Sequence, residues 1–213
     1  MLFIVTPVSR PENLNRIYDS IFMDLPLSKR KHILWVLLPD NSKIDYFNEV
    51  IKDNSHFQNT VILESKISNS MGGYSLRNYF FESYFETTPF FKNYTNYQNY
   101  VQFLDDDTIM HAKYYDLFFE NKSKDKTALI FSQIDKNFQL RLAANYNSIK
   151  VCQIDMGQYT LNLNRLPKKF RFDENEYTAD GIFIEKLYKK LGPDEFTVVN
   201  QVGSIYNYLN ELK

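Results

Sequence analysis

The sequence predicts an α/β fold, in which a mostly parallel central sheet carries helices on both faces and a smaller antiparallel sheet follows. In the first half of the 213-residue chain, short apolar segments alternate with segments of helical spacing. In the second half, short strand-like segments follow one another closely. No repeat or low-complexity linker divides the chain, so we expect a single domain over residues 1–213 with two halves, residues 1–107 and 108–213.

The first elements follow from spacing and turn chemistry. Residues 2–6 form a short, largely apolar run that Pro7 ends, which is typical of a buried strand. Residues 12–22 carry apolar side chains at helical intervals and predict an amphipathic helix. Residues 33–38 predict a second buried strand, because a Pro-Asp-Asn-Ser turn cluster follows them at residues 39–42.

The alternation continues to the middle of the chain. Residues 44–51 have helical spacing, and residues 60–63 predict a third strand. The Met-Gly-Gly of residues 71–73 predicts a loop, and residues 75–85 predict the helix that follows it. Residues 101–104 predict a fourth strand, which runs directly into three consecutive aspartates.

The second half predicts a more antiparallel arrangement. A long helix is expected at Ala179–Leu191, because its apolar side chains fall on one face. The strands expected before it are residues 128–132, 140–143, 151–154 and 159–163.

Polar clusters follow three of the four strands of the first half, at the point where each strand ends. They are Thr6-Pro7, Asp40-Asn41 and Asp105 to Asp107. In open α/β sheets, ligands bind beyond the carboxyl ends of the strands, so we expect these clusters to meet at one edge.

Three adjacent carboxylates at such an edge favour a metal site over a solvent-exposed cap. Their mutual repulsion makes full ionisation costly unless a cation is present. Hard divalent cations take oxygen ligands and can bridge a carboxylate to a diphosphate.

Thr108 directly follows the last aspartate, so the Asp-x-Asp-x-Thr spacing of haloacid-dehalogenase phosphatases fails, and no glycine-rich phosphate loop follows the first strand. Transfer of a sugar from a nucleotide sugar fits this pattern.

Composition excludes several other classes. The formal net charge of −1 provides no basic surface for nucleic acid. Cys152 is the single cysteine, so an internal disulfide is impossible and a reducing, cytoplasmic compartment is expected. No run of about 18 apolar residues predicts a transmembrane segment.

Six motifs in order make the sequence resemble a glycosyltransferase of the A-type fold (GT-A), nearest to the β-1,3-glucuronyltransferase family. They span most of the chain to about residue 187. The motifs are FIVTPVSRPENLNRI, ILWVLLPDNS, GGYSLRNYFFE, YVQFLDDDTIM, CQIDMGQYTLNL and TADGIFIEKL. The resemblance implies a UDP-sugar donor, a glycan or glycoprotein acceptor, and Mn²⁺ or Mg²⁺ as the cofactor.

The resemblance also implies a role for each matching residue. Asp180 would be the catalytic base and Asp107 the direct metal ligand, while Asp155 would face the acceptor. The residues implied in nucleotide-sugar binding are Thr6, Pro7, Asp40 at uracil, Arg77 at the diphosphate, Asp105 at the ribose and Asp106 beside the metal. A base on the acceptor side of the sugar implies a single displacement that inverts the anomeric configuration. A base on the other face of the sugar would imply transfer with retention by the same fold.

The sequence departs from that family in three respects. The family has a late histidine on the diphosphate, but the histidines here are His32, His56 and His111, so a residue within 201–208 is expected to take its place. The expected base is Asp and not Glu, which leaves Glu174 and Glu176 as rival bases. The membrane anchor of the family is missing, so we expect a small enzyme of the bacterial cytoplasm or, for a large DNA virus, of the host cytoplasm.

Two alternative functions remain open from the sequence. One is a metal-dependent phosphodiesterase or nucleotidyltransferase that acts on the same donors without an acceptor. The other is a non-catalytic carbohydrate-binding module, although the alternating first half counts against it.

Overall fold

The computed structural model describes residues 1–53, 57–68, 70–86, 88–94 and 96–210. Within these residues, nine strands form one sheet. The strands are β1 (Leu2–Val8), β2 (Ile33–Pro39), β3 (Thr60–Ile62), β4 (Tyr100–Phe103), β5 (Ile109–Met110), β6 (Ala128–Asp135), β7 (Leu140–Leu142), β8 (Tyr159–Asn162) and β9 (Phe196–Tyr206). Their order across the sheet is β3-β2-β1-β4-β8-β6-β9-β5, and β7 pairs with β6. His56, one of the three histidines, lies outside the described residues.

The helices of the described residues lie between these strands. They are α1 (Leu14–Phe22), α2 (Leu27–Arg30), α3 (Ile44–Asp53), α4 (Tyr74–Phe85), α5 (Tyr114–Asn121) and α6 (Ala179–Leu191). In the part of the chain that the structure describes, none of them is long and apolar enough to cross a membrane.

The first half of the sheet is parallel, as the sequence predicts. β1 pairs in parallel with β2 and β4, and β2 pairs in parallel with β3. Every residue of β1 and β2 is buried. Alternate side chains enter two separate cores: Phe3 and Val5 pack on one face, while Leu2 and Ile4 pack on the other. Each such side chain contributes about 1.5–3 kcal/mol, which explains why these strands are apolar throughout.

The antiparallel strands of the second half continue the same sheet. β8 pairs antiparallel with both β4 and β6, so it joins the two halves. β9 then returns parallel to β6, with register shifts near Phe131 and Ser132. The predicted fold class, a mixed α/β sheet with helices on its faces, is confirmed.

Some predicted and observed elements differ. The expected strand at residues 151–154 is wrong, because this segment is a turn in which Cys152 has a φ of 64°. The turn packs against α6, where a Cβ on Gly181 would lie 3.1 Å from the Val151 Cα. The sequence prediction also lacked β5, α5 and β9.

Candidate functional site

A cavity of about 490 Å³ opens at the carboxyl ends of β1, β2 and β4. Its volume lies within the range of pockets that bind small molecules and cofactors. The predicted site residues that line it are Pro7, Asp40, Arg77, Asp105, Asp106, Asp107, Asp155 and Asp180. Thr6 is not among the lining residues, because it is fully buried and its hydroxyl accepts a hydrogen bond from Trp35 Nε1 at 2.9 Å.

Asp106 joins the end of β4 to the loop after β1. Its Oδ2 accepts hydrogen bonds from the Ser9 and Arg10 backbone N–H groups at 2.6 and 2.7 Å and from the Ser9 hydroxyl at 2.9 Å. Its Oδ1 faces the Arg10 guanidinium, with Nε at 2.8 Å. Only 3% of this side chain is exposed. Asp106 therefore fixes the loop, and its carboxylate is almost fully occupied.

Asp107 has a more open carboxylate. Its Oδ2 contacts Arg10 Nη1 and Asn210 Nδ2, each at 2.9 Å. Its Oδ1 has one long contact, from the Thr108 hydroxyl at 3.3 Å. Burial raises the pKa of Asp107, and the positive charge of Arg10 opposes that shift. Asp107 Oδ1 and the Asp105 oxygen that does not pair with Arg77 are thus the oxygens of the aspartate triplet with the most capacity for another ligand.

Asp105 forms an ion pair with Arg77, whose other terminal nitrogen donates to the Gly72 carbonyl. The Arg77 residue is 1% exposed, although it reaches the cavity wall. Gly73 before α4 has a φ of 72°, and a Cβ there would lie 2.8 Å from Pro7. The glycine lets the start of α4 approach the end of β1, which places Arg77 beside Asp105.

Asp40 lies at the end of β2 and shapes the wall on that side. Its Oδ1 accepts hydrogen bonds from the Ser42 N–H at 2.9 Å and the Ser42 hydroxyl at 2.7 Å, which caps a short 3₁₀ turn. Its Oδ2 accepts a longer bond from the Ser70 N–H at 3.3 Å. This carboxylate is therefore held in one orientation at the cavity.

Asp155 lies on the opposite wall, within a polar network. It accepts hydrogen bonds from Gln133 Nε2 and Arg141 Nη1, each at 3.2 Å. The Arg141 guanidinium also lies over the Tyr206 ring, 3.7 Å from its centroid, a cation–π geometry. This network adds a second accessible cation to the cavity.

Asp180 occupies the first turn of α6, where Oδ2 accepts a hydrogen bond from the Met156 N–H at 3.2 Å. Burial raises the pKa of Asp180, and the negative charge of Asp155 raises it further. The rival bases Glu174 and Glu176 are not among the cavity-lining residues. Glu174 instead accepts hydrogen bonds from Asn78 and Ser75 of α4, both at 2.7 Å. Asp180 is therefore the better-placed of these carboxylates.

The sequence prediction named none of five residues of this site, Arg10, Arg141, Tyr206, Asn207 and Asn210, although Tyr206 and Asn207 fall in the segment 201–208 expected to replace the late histidine. All but Asn210 line the cavity, and Asn210 contacts Asp107 directly. Arg10 lies three residues after Pro7 in one of the quoted motifs, so its position was a usable signal. The other four lie far along the chain, and no local pattern distinguishes them.

The donor set fits a divalent cation that is bound with its substrate. Within the described residues, no group of three or more His, Cys, Asp or Glu side chains could hold a metal by itself. Mg²⁺ sites commonly need only one or two carboxylates, with substrate phosphates and water as the remaining ligands. Asp107 Oδ1, at the cavity and without a strong partner, meets that requirement.

The fold and this edge of the sheet define the class: the chain has the GT-A fold of glycosyltransferases. No family model and no curated protein matches the sequence. Among solved structures it is similar to S. aureus TarS 1-349, with a TM-score of 0.65 and 14% identity over 96% of this chain and 59% of that one. It is also similar to the mannosyltransferase PcManGT from Pyrobaculum calidifontis in complex with GDP-Man and Mn²⁺, with a TM-score of 0.66 and 11% identity over 97% and 56% of the two chains. The chain thus spans less than two thirds of the length of either structure.

Proposed function

We propose that this protein is a metal-dependent glycosyltransferase, which moves a sugar from a UDP-sugar to a hydroxyl of a glycan or glycoprotein acceptor with inversion. One observation carries the proposal: carboxylates from both halves of the chain line a single cavity at the ligand-binding edge of a GT-A fold. Asp105 to Asp107 come from the first half, and Asp155 and Asp180 from the second. Residues 1–107 would supply the donor side, and residues 108–213 the acceptor side.

On the donor side, Asp40 is an acceptor-only group, which suits the N3–H of uracil. Arg77 would contact the diphosphate and Asp105 the ribose. A divalent cation held at Asp107 would neutralise the leaving diphosphate, a Lewis-acid contribution. The Mn²⁺ in the mannosyltransferase complex supports a cation at this edge. Because that complex contains GDP-Man, the preference of this protein for uracil over guanine has to be measured.

On the acceptor side, Asp180 removes the proton from the attacking hydroxyl. Its carboxylate is held by the Met156 N–H and by the start of α6, so it needs little reorganisation before the reaction. Burial raises the pKa of Asp180, which makes the ionised form a stronger base. Asp155, beside Arg141, orients the acceptor.

The experiment is to measure donor affinity and transfer rate with one preparation of Asp180→Asn. Asparagine can still accept the Met156 hydrogen bond, and burial disfavours the charge at this position, so the fold should be as stable as the wild type. Transfer should fall by about 10²-fold or more, the scale of a lost general base. UDP affinity with Mn²⁺ should stay within experimental error.

Glu174→Gln is the matched control, because it removes a neighbouring carboxylate that contacts α4 and not the cavity. It should leave transfer within about twofold of the wild type. The wild-type rate should also fall as the pH is lowered, because only ionised Asp180 is active. The midpoint of this fall should lie above the usual pKa range of aspartate. Near-normal transfer by Asp180→Asn would remove Asp180 from the mechanism.

Binding measurements test the donor separately. Calorimetry should give tighter UDP binding with Mn²⁺ than with a chelator, and Asp107→Asn should abolish that difference. A preference for purine nucleotides would refute the role of Asp40. Donor hydrolysis that needs no acceptor would favour the phosphodiesterase alternative.

A further inference from the structure

Arg10 bridges two of the three aspartates. Its Nε donates to Asp106 Oδ1 at 2.8 Å, and its Nη2 contacts the same carboxylate. Its Nη1 lies 2.9 Å from Asp107 Oδ2 and donates to Asn210 Oδ1 at 2.8 Å. The side chain is still 36% exposed and lines the cavity. A single guanidinium therefore holds both carboxylates and faces the donor space.

The charges here are only partly balanced. Arg77 neutralises Asp105, whereas Arg10 supplies one positive charge to the two carboxylates of Asp106 and Asp107. Adjacent ionised carboxylates favour binding of a further cation. A divalent cation at Asp107 would meet the guanidinium on the same carboxylate, and the two positive charges would repel each other. Arg10 and the metal thus compete for Asp107.

The geometry separates the two contacts of the Arg10 side chain. The pair with Asp106 uses Nε and Nη2, and backbone N–H groups of Ser9 and Arg10 hold Asp106 independently. The contact with Asp107 uses Nη1 alone. Because the guanidinium is planar and rigid, Nη1 can leave Asp107 and Asn210 only if the group rotates and gives up part of its contact with Asp106. The backbone N–H groups of Ser9 and Arg10 keep Asp106 in place during that rotation, with no change in the backbone of the loop.

We propose that Arg10 is a built-in counter-cation that is exchanged during donor binding. Its Nη1 neutralises Asp107 until a divalent cation arrives, and the guanidinium then turns to an oxygen of the donor diphosphate. The second contact rests on the proposed function, since it requires a nucleoside diphosphate in the cavity. Arginine suits this role because its planar donors match phosphate oxygens and it remains charged.

Two titrations with opposite expected shifts test the proposal. In the first, Mn²⁺ alone is titrated to millimolar concentrations into Arg10→Gln and wild-type protein by calorimetry, because a carboxylate with water binds the ion only weakly until donor phosphates are present. The variant should bind Mn²⁺ about tenfold more tightly, because the competing charge is gone. In the second, UDP is titrated at saturating Mn²⁺, and the variant should bind UDP about tenfold more weakly, because a phosphate ligand is lost. A purely structural role for Arg10 would weaken both ligands.

Arg16→Gln is the matched control. It removes the same charge from the neighbouring α1, where Arg16 is exposed and lies over the Tyr208 ring, outside the cavity lining. Both affinities should stay within about twofold of the wild type. Arg10→Lys is the second variant, for the case in which Arg10→Gln does not fold. Its ammonium group keeps a positive charge at Asp106 but is too small to contact both carboxylates. This variant should also bind Mn²⁺ more tightly than the wild type.

The outcomes distinguish this proposal from the proposed function. Unchanged or weaker Mn²⁺ binding in both Arg10 variants would overturn the counter-cation role, whatever UDP does. Unchanged UDP affinity in Arg10→Gln, with tighter Mn²⁺ binding, would overturn the exchange to the diphosphate. If the wild type binds no nucleoside diphosphate while the Mn²⁺ shift is present, the proposed donor is wrong and the competition at Asp107 is supported.

Discussion

Replacing Arg77 by Met tests how the floor of the cavity is held together. The Arg77 side chain is almost fully buried, pairs with Asp105 and donates to the Gly72 carbonyl. Its guanidinium also lies 5.3 Å from the Tyr74 ring centroid and 5.9 Å from that of Phe103. Methionine preserves much of the apolar stem but removes every one of these polar contacts.

The expected loss of stability follows from these contacts. Removing one partner of a buried ion pair costs about 3–5 kcal/mol, because the other charge stays uncompensated. The Asp105 side chain is 35% exposed, so water can solvate its charge once Arg77 is removed. Its partial burial raises its pKa, so protonation can also remove the charge, and both effects reduce the loss of stability. We therefore expect the lower end, about 3 kcal/mol, out of a total of about 5–15 kcal/mol. For a chain of this size, that lowers the melting temperature by roughly 6–12 °C.

Urea unfolding at neutral pH measures this loss. Arg171→Met is the matched control, since Arg171 also lies over two rings and donates to backbone carbonyls, but its carboxylate partner Glu82 is 3.9 Å away and 55% exposed. It should cost less than about 1 kcal/mol. The double variant with Asp105→Asn should recover part of the loss of Arg77→Met. Equal costs for the two arginines would refute the assignment of Asp105 as a partly buried carboxylate that depends on Arg77 for its counter-charge.

Two further predictions concern the cavity wall. Gly73→Ala should cost about 2 kcal/mol and weaken UDP binding, because its φ of 72° strains an alanine and the new Cβ would meet Pro7 at 2.8 Å. Gly192→Ala, with a φ of 86° and no atom within 4 Å, should lose stability in urea unfolding and leave UDP affinity unchanged. A bulky maleimide on the exposed Cys152, which lines the cavity, should slow transfer, while Cys152→Ser treated in the same way should keep its rate. Equal UDP affinities for the two alanine variants, or full activity of the labelled protein, would contradict these expectations.

The parallel half of the fold could be predicted because burial on both faces leaves a strong local signal. β1 and β2 are apolar almost throughout, and a turn cluster follows the second of them. β9 gave no such signal, because exposed Asn200 and Gln201 interrupt its apolar residues where the pairing with β6 changes register. The segment at residues 151–154 has strand-like side chains, but contact with α6 makes it a turn.

The carboxylates of the site could be predicted because an aspartate triplet after a buried strand is a local and unusual pattern. Their partners could not, because hydrogen bonds between distant residues leave no trace in a single sequence. Asn210 and Arg141 are ordinary polar residues until β6, β7 and β9 bring them to Asp107 and Asp155. The different hydrogen-bond partners of Asp106 and Asp107 likewise depend on the Arg10 loop, and three identical side chains in the sequence cannot reveal them.

The segment after β9 has a consequence for how the protein folds. Asn210 contacts Asp107, 103 positions earlier, and Arg10, 200 positions earlier, and the Leu209 N–H donates to the Asp107 carbonyl. Contacts between such distant residues form late, since the entropy of closing the loop must be lost before they contribute. On a ribosome, the parallel strands can therefore assemble while the aspartates still lack this partner. The cavity should mature in one late, cooperative step, and pulse-labelled hydrogen exchange should give the Leu209 amide, which donates to the Asp107 carbonyl, protection after the amides of β1 and β2.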